Sequence, residues 1–318
     1  MPTSSTGNKP LEGRVFVITG AGRGLGASYA KEAALMGAKI VVNDIGKTLQ
    51  GESTGESPAD EVVREIIAAG GEAIADTHDI TDYDGAQALI DAAVKRFGSM
   101  DVLINNAGIL RDRMFANMSI EEWDDVIRVH LRGHFCTSRH AAAYWKDKAK
   151  QQGGPVDAAM IQTTSIAGLH GQPGQANYAT AKCGIAMLAH ITHMELFDRY
   201  GVRSYAIAPS ARTRLTLNSP GAVEVVNKKM PNGFDYFDPD NVAPFVLWLG
   251  MRGCPAPSGA VFGVEGDVVR RYNSWQVGST VRNNSKRWTF EDLQAAGPEL
   301  FKGQDRAFSP MSDVINNF

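Results

Sequence analysis

The chain has 318 residues, 43% of them hydrophobic, and its 32 basic and 35 acidic side chains give a formal net charge of −3. This balance offers no basic surface for nucleic acid, and no apolar run approaches the roughly 18 residues that a membrane span requires. Three scattered cysteines are typical of free thiols in a reducing compartment, so we expect a cytoplasmic protein without a membrane or nucleic-acid partner. Residues 1–12 are polar and lack the apolar core of a leader peptide, which predicts a flexible tail.

The first regular elements have the pattern of a dinucleotide-binding unit. They are a buried strand, a glycine-rich turn, a helix, a second strand and an acid, at Arg14–Thr19, Gly20–Gly26, Ala27–Met36, Lys39–Asn43 and Asp44. Gly20, Gly24 and Gly26 would let backbone amides approach a pyrophosphate at the amino end of the helix. A tight turn that merely packs helix on strand is the alternative explanation for these glycines.

Two charged residues bear on which nicotinamide cofactor fits. Asp44 would accept hydrogen bonds from the adenosine ribose hydroxyls and repel a 2′-phosphate, which favours NAD. Arg23 lies within the glycine turn and could instead meet a 2′-phosphate, or be a solvated loop residue. Because like-charge repulsion at the ribose is the harder obstacle, we predict NAD, with NADP as the less favoured cofactor.

Strand and helix patterns then alternate along the chain without an internal repeat. Apolar strand segments follow at Glu72–Thr77, Met100–Asn105, Val156–Thr164, Arg203–Ala208 and Ala260–Val264. This order predicts an α/β fold, a Rossmann-type doubly wound parallel sheet of about seven strands with helices on both faces. We expect a single domain over residues 13–267 and a C-terminal extension, residues 268–318, packed on that domain.

One stretch combines three groups suited to acid/base chemistry on an alcohol or a carbonyl. It carries a hydroxyl at Ser165, a phenol at Tyr178 and an ammonium at Lys182. Tyr178 and Lys182 are four residues apart, so a helix places both side chains on one face. A nearby cation would lower the pKa of the phenol from its ordinary value of about 10. His190 and His193 are also close together, but without a third ligand nearby they predict no metal site.

These motifs, together with Asn105-Asn106-Ala107-Gly108 at the end of the fourth strand, resemble those of the short-chain dehydrogenase/reductase family. The resemblance implies that Tyr178 exchanges the proton, Lys182 lowers the pKa of Tyr178 and holds the nicotinamide ribose, and Ser165 polarises the substrate carbonyl. Asp79 follows the third strand, where it could reach the adenine edge or cap a turn. Backbone contacts to the cofactor are implied for Asn105 as well. The full set of cofactor-binding residues predicted in this way is Gly20, Arg23, Gly24, Leu25, Gly26, Asp44, Asp79, Ile80, Asn106, Ala107, Gly108, Tyr178, Lys182, Pro209, Ala211 and Thr213.

Several segments resemble one subgroup more closely, the (3R)-hydroxyacyl-CoA dehydrogenases, which occur as a domain of the peroxisomal multifunctional β-oxidation enzyme and as bacterial single-domain proteins. The segments are Val42–Gly46, Asn106–Arg113, Val129–Gly133 and Gly174–Tyr178. His130 stands where the wider family usually has an asparagine that anchors a proton-relay water. The resemblance implies hydride transfer between NAD and the 3-hydroxy or 3-keto group of an acyl-CoA thioester, by a homodimer or homotetramer.

The shape of the substrate stays open. Residues Arg214–Asp240 follow the sixth strand and hold apolar and aromatic side chains that suit an acyl chain and a steroid equally. A hydroxysteroid or another bulky secondary alcohol is therefore the alternative substrate. Arg111 and Arg113 could attract a CoA phosphate or form ordinary loop salt bridges. A cofactor-sensing protein that does no chemistry is a further alternative, which the intact serine, tyrosine and lysine disfavour.

Overall fold

The computed structural model describes residues 9–46, 57–217, 223, 226, 227, 230, 232–273 and 276–302. Residues 1–8 of the predicted tail, part of the predicted substrate segment and residues 303–318 of the predicted extension lie outside the described residues. The chain differs from the predicted flexible tail at Leu11, which is buried and whose amide donates to the Met36 carbonyl at 3.0 Å. This apolar contact and hydrogen bond hold the start of the described chain against the body of the protein.

Eight strands form one sheet in the order β3-β2-β1-β4-β5-β6-β7-β8. Their bounds are β1 Val15–Thr19, β2 Lys39–Asn43, β3 Glu72–Asp76, β4 Val102–Asn105, β5 Ala158–Thr163, β6 Val202–Ser210, β7 Val261–Glu265 and β8 Val268–Tyr272. The first seven are parallel, which confirms the predicted doubly wound α/β fold. Strand β8 is antiparallel to β7 and belongs to the region predicted as an extension, so the count of about seven strands was one too low. Gly266, at φ +49°, makes the short reversal between β7 and β8 possible.

Helices connect the strands on both faces of the sheet. They are α1 Gly24–Leu35, α2 Pro58–Ala68, α3 Tyr83–Phe97, α4 Ile120–Ile127, α5 Gly133–Gln152, α6 Ile166–His170, α7 Ala176–Tyr200, α8 Arg214–Leu217, α9 Ala243–Gly250 and α10 Phe290–Ala296. Helix α4 begins with a capping box, in which Ser119 accepts from the Glu122 amide and the Glu122 carboxylate accepts from the Ser119 amide. No helix within the described ranges is long and apolar enough to cross a membrane.

The two faces of the sheet bury separate cores. Along β1, Phe16 and Ile18 point into the core shared with α1, α2 and α9, while Val15 and Val17 point into the core shared with α3, α5 and α7. Successive side chains of a strand alternate between faces, so a strand covered on both sides is apolar throughout. This explains the uninterrupted apolar runs that predicted the parallel sheet.

The carboxyl ends of the parallel strands form the edge on which the site is built. Strands β1 and β4 are neighbours although β2 and β3 come between them in the sequence, so the winding direction of the sheet reverses there. Such a reversal leaves a crevice at the strand ends, where ligands of this fold class bind. Between α4 and α5 the chain makes a π-helical turn, Arg128–Arg132, which turns His130 into the protein interior.

Candidate active site

A cleft of about 430 Å³ opens at the carboxyl ends of the strands. All of the predicted catalytic and cofactor-binding residues line it except Asn105 and Gly26. Ser165, Tyr178 and Lys182, the residues predicted to be catalytic and called the catalytic trio below, share this cleft with the glycine turn. The fold therefore brings residues from distant parts of the sequence to one cleft, and their roles there stay predictions.

The glycine turn between β1 and α1 has the backbone shape that a phosphate cradle needs. Gly20 and Gly24 have φ angles of +62° and +54°, in the left-handed region that favours glycine. A Cβ on Gly20 would lie 2.7 Å from the Ala107 Cα, so a side chain there would collide with backbone. Gly26 does not line the cleft, because its Cα faces the Gly20 carbonyl, from which a Cβ would be 2.4 Å away. Gly26 therefore allows close packing of α1 on the turn, and its contact with a cofactor stays a prediction.

Asp44 is held at the end of β2 with its carboxylate in the cleft. Oδ2 accepts a hydrogen bond from the Gly22 amide at 3.1 Å, and Oδ1 accepts one from the Gly46 amide at 2.9 Å. Each carboxylate oxygen retains acceptor capacity beyond this one bond. Asp44 is therefore oriented to receive the hydroxyl groups of a ribose. Arg23 lines the same cleft from the glycine turn.

The loop after β4 is fixed to the end of β1. Thr19 Oγ1 accepts from the amides of Asn106 and Ala107 at 3.0 and 3.2 Å, and Asn106 Nδ2 donates to the Thr19 carbonyl at 3.1 Å. Asn105 is fully buried instead of lining the cleft, and its side chain bonds to residues of α5, including Thr137 at 2.7 Å. The side chain of Asn105 thus anchors the sheet to α5, and the contact of its backbone with a cofactor stays a prediction.

Two further predicted residues hold turns as well as lining the cleft. Asp79 Oδ1 accepts from the Thr81 amide at 2.8 Å, so Asp79 caps this turn, while its contact with an adenine edge stays a prediction for a residue that lines the cleft. Thr213 lies at the start of α8, where its amide donates to Thr216 Oγ1 at 2.7 Å. Arg128 lines the cleft near Thr81, to whose hydroxyl it donates at 3.2 Å.

Lys182 is hydrogen-bonded to the end of β5 through both its side chain and its backbone. Its Nζ donates to the Thr163 carbonyl at 2.6 Å, while its own carbonyl accepts from Thr164 Oγ1 at 2.5 Å. The ammonium lies 5.6 Å from the centre of the Tyr178 ring. Burial lowers the pKa of Lys182 to about 7, because the charged form is deprived of water.

Tyr178 departs from the expectation that its phenol ionises easily. Burial raises the pKa of Tyr178 to about 12, and a hydrogen bond from Ser165 opposes part of that rise. Lys182 does not reverse this rise in the pKa of Tyr178. Its ammonium donates to the Thr163 carbonyl, and burial disfavours the charged form of the lysine itself. The pKa of the phenol in the protein is therefore raised, and not lowered as the spacing alone suggested.

His130 packs edge-on against the Tyr178 ring, with ring centres 5.1 Å apart. Its Nε2 lies 2.8 Å from the Ile109 carbonyl and 3.0 Å from the Ile109 amide. Burial, reinforced by Lys182, lowers the pKa of His130 to about 3, so the imidazole is neutral near pH 7. His130 thereby fixes the loop after β4 against the ring of Tyr178.

Other side chains line the cleft without having been assigned to cofactor binding from the sequence. They are Asn43, Ile45, Thr81, Ile109, Arg111, Asp125, Arg128, Val129, His130, Thr163, Thr164 and Thr216. Most directly flank a recognised motif, as Thr163 and Thr164 flank Ser165, so adjacency to a strand end was the available signal. His193 pairs with Ser258 at 2.9 Å, and no cluster of three or more potential metal ligands occurs within the described ranges.

The residues present fit a nicotinamide dinucleotide. An open glycine turn at the amino end of a helix suits a pyrophosphate, a carboxylate at the end of β2 suits ribose hydroxyls, and a buried phenol suits proton exchange. The sequence pattern that defines the short chain dehydrogenase family matches residues 14–218. The chain belongs to this family, and it is an oxidoreductase that uses a nicotinamide cofactor on a small-molecule CH–OH substrate.

Named relatives extend the match beyond the family core. The chain is 39% identical to the hydroxyacyl-CoA dehydrogenase ChsB1 of Mycobacterium tuberculosis, over 95% of this chain and 92% of that protein. It is 38% identical to the mouse peroxisomal multifunctional enzyme type 2 over 89% of this chain, but it spans only 36% of that enzyme. The crystal structure of a short chain dehydrogenase from Mycobacterium avium is similar, with 45% identity, a TM-score of 0.81 and coverage of 95% of this chain and 98% of that one.

Proposed function

We propose that this enzyme transfers hydride between NAD and the 3-hydroxy or 3-keto group of an acyl-CoA thioester. The observation that carries the proposal is the extent of the match to a hydroxyacyl-CoA dehydrogenase, 302 residues, whereas the family model ends at residue 218. The similarity therefore includes the part of the chain after β6, where substrate-binding segments of this fold lie. The intact catalytic trio within one cleft supports chemistry over mere cofactor sensing.

The proposed roles of the trio follow from their positions. The bound nicotinamide ring supplies the hydride chemistry. Tyr178 exchanges a proton with the substrate oxygen. Ser165 bonds to the phenol in this structure, and with substrate bound its single hydroxyl hydrogen turns to the negative charge that develops on that oxygen. Lys182, fixed by Thr163 and Thr164, contributes its charge beside the phenol and a donor for the ribose.

The charge state of Tyr178 bears on whether the enzyme favours reduction or oxidation. A phenol whose pKa is about 12 is protonated near pH 7, which is the form that donates a proton to a carbonyl during reduction. Oxidation needs the phenolate, so its rate should rise as the pH increases toward the pKa of Tyr178. Positive charge of the oxidised cofactor opposes the effect of burial on Tyr178.

NAD is proposed over NADP because of Asp44. Its carboxylate lines the cleft at the end of β2, where a 2′-phosphate would meet like charge. Kinetics with both cofactors at a fixed substrate concentration test this directly. A higher kcat/KM with NADP would contradict the proposal.

The decisive assay measures NADH absorbance with a panel of substrates. It should compare short, long and steroid-linked 3-hydroxyacyl-CoAs with free hydroxysteroids and simple secondary alcohols. We expect turnover of the CoA thioesters to exceed that of every free alcohol. Preference for a free hydroxysteroid would replace the acyl-CoA proposal, and no NADH with any alcohol would favour the non-catalytic alternative.

We further propose a homo-oligomer, supported by an apolar stripe on α7. Met187, Ile191 and Met194 share one helical face and are 46%, 41% and 65% exposed, which is unusual for large apolar side chains. Light scattering of the purified protein should give twice or four times the chain mass. Met194→Glu should lower that mass, whereas Leu35→Glu, an equally apolar exposed position on α1, should not.

A further inference from the structure

A carboxylate with no cationic partner among the described residues lies close to the first turn of α7. Asp112, on the loop after β4, accepts a hydrogen bond on Oδ2 from Gln175 Nε2 at 2.8 Å. Its Oδ1 is buried and has no hydrogen-bond partner among the described residues. Asp112 as a whole is half-buried, but a carboxylate oxygen shielded from water without a donor costs free energy, so this arrangement requires a reason.

The neighbouring arginines do not neutralise Asp112. Arg113 pairs with Glu122 at 2.9 Å, and Arg111 lies 3.6 Å from Asp125. Both guanidinium groups flank Asp112 in the sequence, yet each is directed to a carboxylate of α4. Burial raises the pKa of Asp112 from its ordinary value, and the Gln175 hydrogen bond opposes part of that rise.

Asp112 is joined to Tyr178 by a short hydrogen-bonded strap, defined as residues 111–113 paired with residues 174–177. The Arg113 amide donates to the Gly174 carbonyl at 2.8 Å, and Asn177 Nδ2 donates to the Arg111 carbonyl at 3.0 Å. Asn177 is fully buried, and its Oδ1 accepts from the Tyr178 amide at 2.7 Å. The strap thus sets the separation between Asp112 and the first turn of α7.

We propose that Asp112 is a positioning residue for Tyr178, a fixed negative charge that the strap holds beside the catalytic phenol. Negative charge at that place opposes formation of the phenolate and favours the protonated phenol. Asp112 contributes in this direction to the raised pKa of Tyr178, after the larger effect of burial. The carboxylate therefore biases the tyrosine toward the form that donates a proton.

Every charged or titratable group around Tyr178 has to be considered in the test. Ser165 follows β5, Lys182 lies one turn further along α7, and His130 reaches the ring from the π-helical turn. His130, with a pKa of about 3, stays neutral above that pH, but Lys182, with a pKa of about 7, titrates in the working range. A rate profile alone would mix Lys182 with Tyr178, so the phenol should be observed directly.

The experiment replaces Tyr178 with a fluorotyrosine, whose more acidic phenol ionises within the range where the protein is folded. Its absorbance is titrated with pH in the otherwise unchanged protein and in Asp112→Asn, which keeps an acceptor for Gln175 but removes the charge. We expect the midpoint to fall by about 0.5–1 pH unit, the effect of one nearby charge in a partly buried site. In the natural protein, the pH profile of oxidation should move in the same direction.

Asp124→Asn is the matched control, because Asp124 is an exposed carboxylate of α4 outside the strap. It should leave the midpoint unchanged. If Asp112→Asn folds poorly, Asp112→Ser also removes the charge and leaves an acceptor for Gln175. A midpoint that does not move when the charge is removed, or that moves equally in the control, overturns the proposal and leaves Asp112 a purely structural anchor.

This inference rests on the proposed role of Tyr178 in catalysis, but the two can fail separately. The absorbance titration requires no substrate, so it reports on Asp112 even if the acyl-CoA assay is negative. A shifted midpoint without acyl-CoA turnover would reject the substrate and keep the charge relationship.

Discussion

Tyr178 and Lys182 are both buried, and burial disfavours the charged form of each side chain. It raises the pKa of Tyr178 to about 12 and lowers that of Lys182 to about 7. Four-residue spacing placed the two side chains on one helix face, as predicted, with the ammonium 5.6 Å from the ring centre. The cost of desolvation nevertheless outweighs their attraction. The catalytic role of Tyr178 remains a prediction that substitution can test.

Tyr178→Phe removes the phenolic hydroxyl and keeps the ring that packs against His130. We expect kcat to fall by at least about 10²–10⁴-fold, the usual contribution of general acid/base catalysis. Cofactor affinity, measured by fluorescence titration with NADH, should stay within about threefold because the pyrophosphate and ribose contacts lie elsewhere. Tyr83→Phe, a partly exposed tyrosine outside the cleft, is the control. Wild-type turnover in Tyr178→Phe would disprove the assignment.

Asp44→Ala tests cofactor choice at the residue level. Removing the carboxylate removes the repulsion of a 2′-phosphate and the acceptor for the Gly22 amide. We expect the ratio of kcat/KM for NAD to that for NADP to fall by about tenfold or more, which corresponds to at least about 1.4 kcal/mol. Asp60→Ala removes an exposed carboxylate from α2 and should leave the ratio unchanged. An unaltered ratio in Asp44→Ala would remove the basis for the NAD proposal.

The connection between β1 and α1 shows how one element combines packing and binding. Gly20 has a left-handed backbone and also touches the loop after β4, while Gly26 lets α1 approach the turn. The glycine pattern predicted the turn correctly. It did not distinguish a glycine that lines the cleft from one that packs, because both need a missing Cβ.

Gly20→Ala should destabilise this element beyond the cost of its backbone angle. A left-handed alanine costs about 1 kcal/mol, and the new Cβ would lie 2.7 Å from the Ala107 Cα. We expect the free energy of unfolding in urea to fall by about 2–4 kcal/mol, with at least tenfold weaker NADH binding. Gly70→Ala is the matched control, since Gly70 has φ +85° and open space around its Cβ position. Equal losses in the two variants would show that the Ala107 contact is unimportant.

At the scale of the whole molecule, buried histidines make the free energy of unfolding depend on pH. Burial lowers the pKa of His130 to about 3 and that of His134 well below its ordinary value. An unfolded histidine has a pKa of about 6.5, so the unfolded chain binds more protons between these values. The contribution of these neutral histidines to the free energy of unfolding is therefore fully present above about pH 6.5. It is lost as the pH falls toward the pKa values of the folded protein.

We expect His130 alone to lower the free energy of unfolding by about 2 kcal/mol between about pH 7.5 and about pH 5. Urea unfolding of the natural protein and of His130→Gln at both pH values provides the measurement. The variant should lose less stability on acidification, because it has one fewer group that must charge on unfolding. Equal acid losses in both proteins would show that His130 is not the responsible group.

Local patterns in the sequence determined much of this protein. Apolar runs predicted seven parallel strands, the glycine turn with Asp44 predicted the nucleotide unit, and the four-residue spacing of Tyr178 and Lys182 predicted a shared helix face. These features follow from backbone periodicity and from the need for glycine at left-handed positions, both of which act over a few residues. The eighth strand was missed because its side chains alternate between half-buried and exposed, as an edge strand allows.

Only the tertiary structure decided which groups are desolvated and what they touch. Asn105 anchors α5 by its side chain, Gly26 allows α1 to pack closely, and Asp112 is a half-buried carboxylate bonded to Gln175 at the start of α7. Desolvation is also why the pKa of Tyr178 is raised and not lowered. Desolvation depends on every segment that covers a group, and these segments come from distant parts of the chain, so spacing along the sequence cannot give its size or sign.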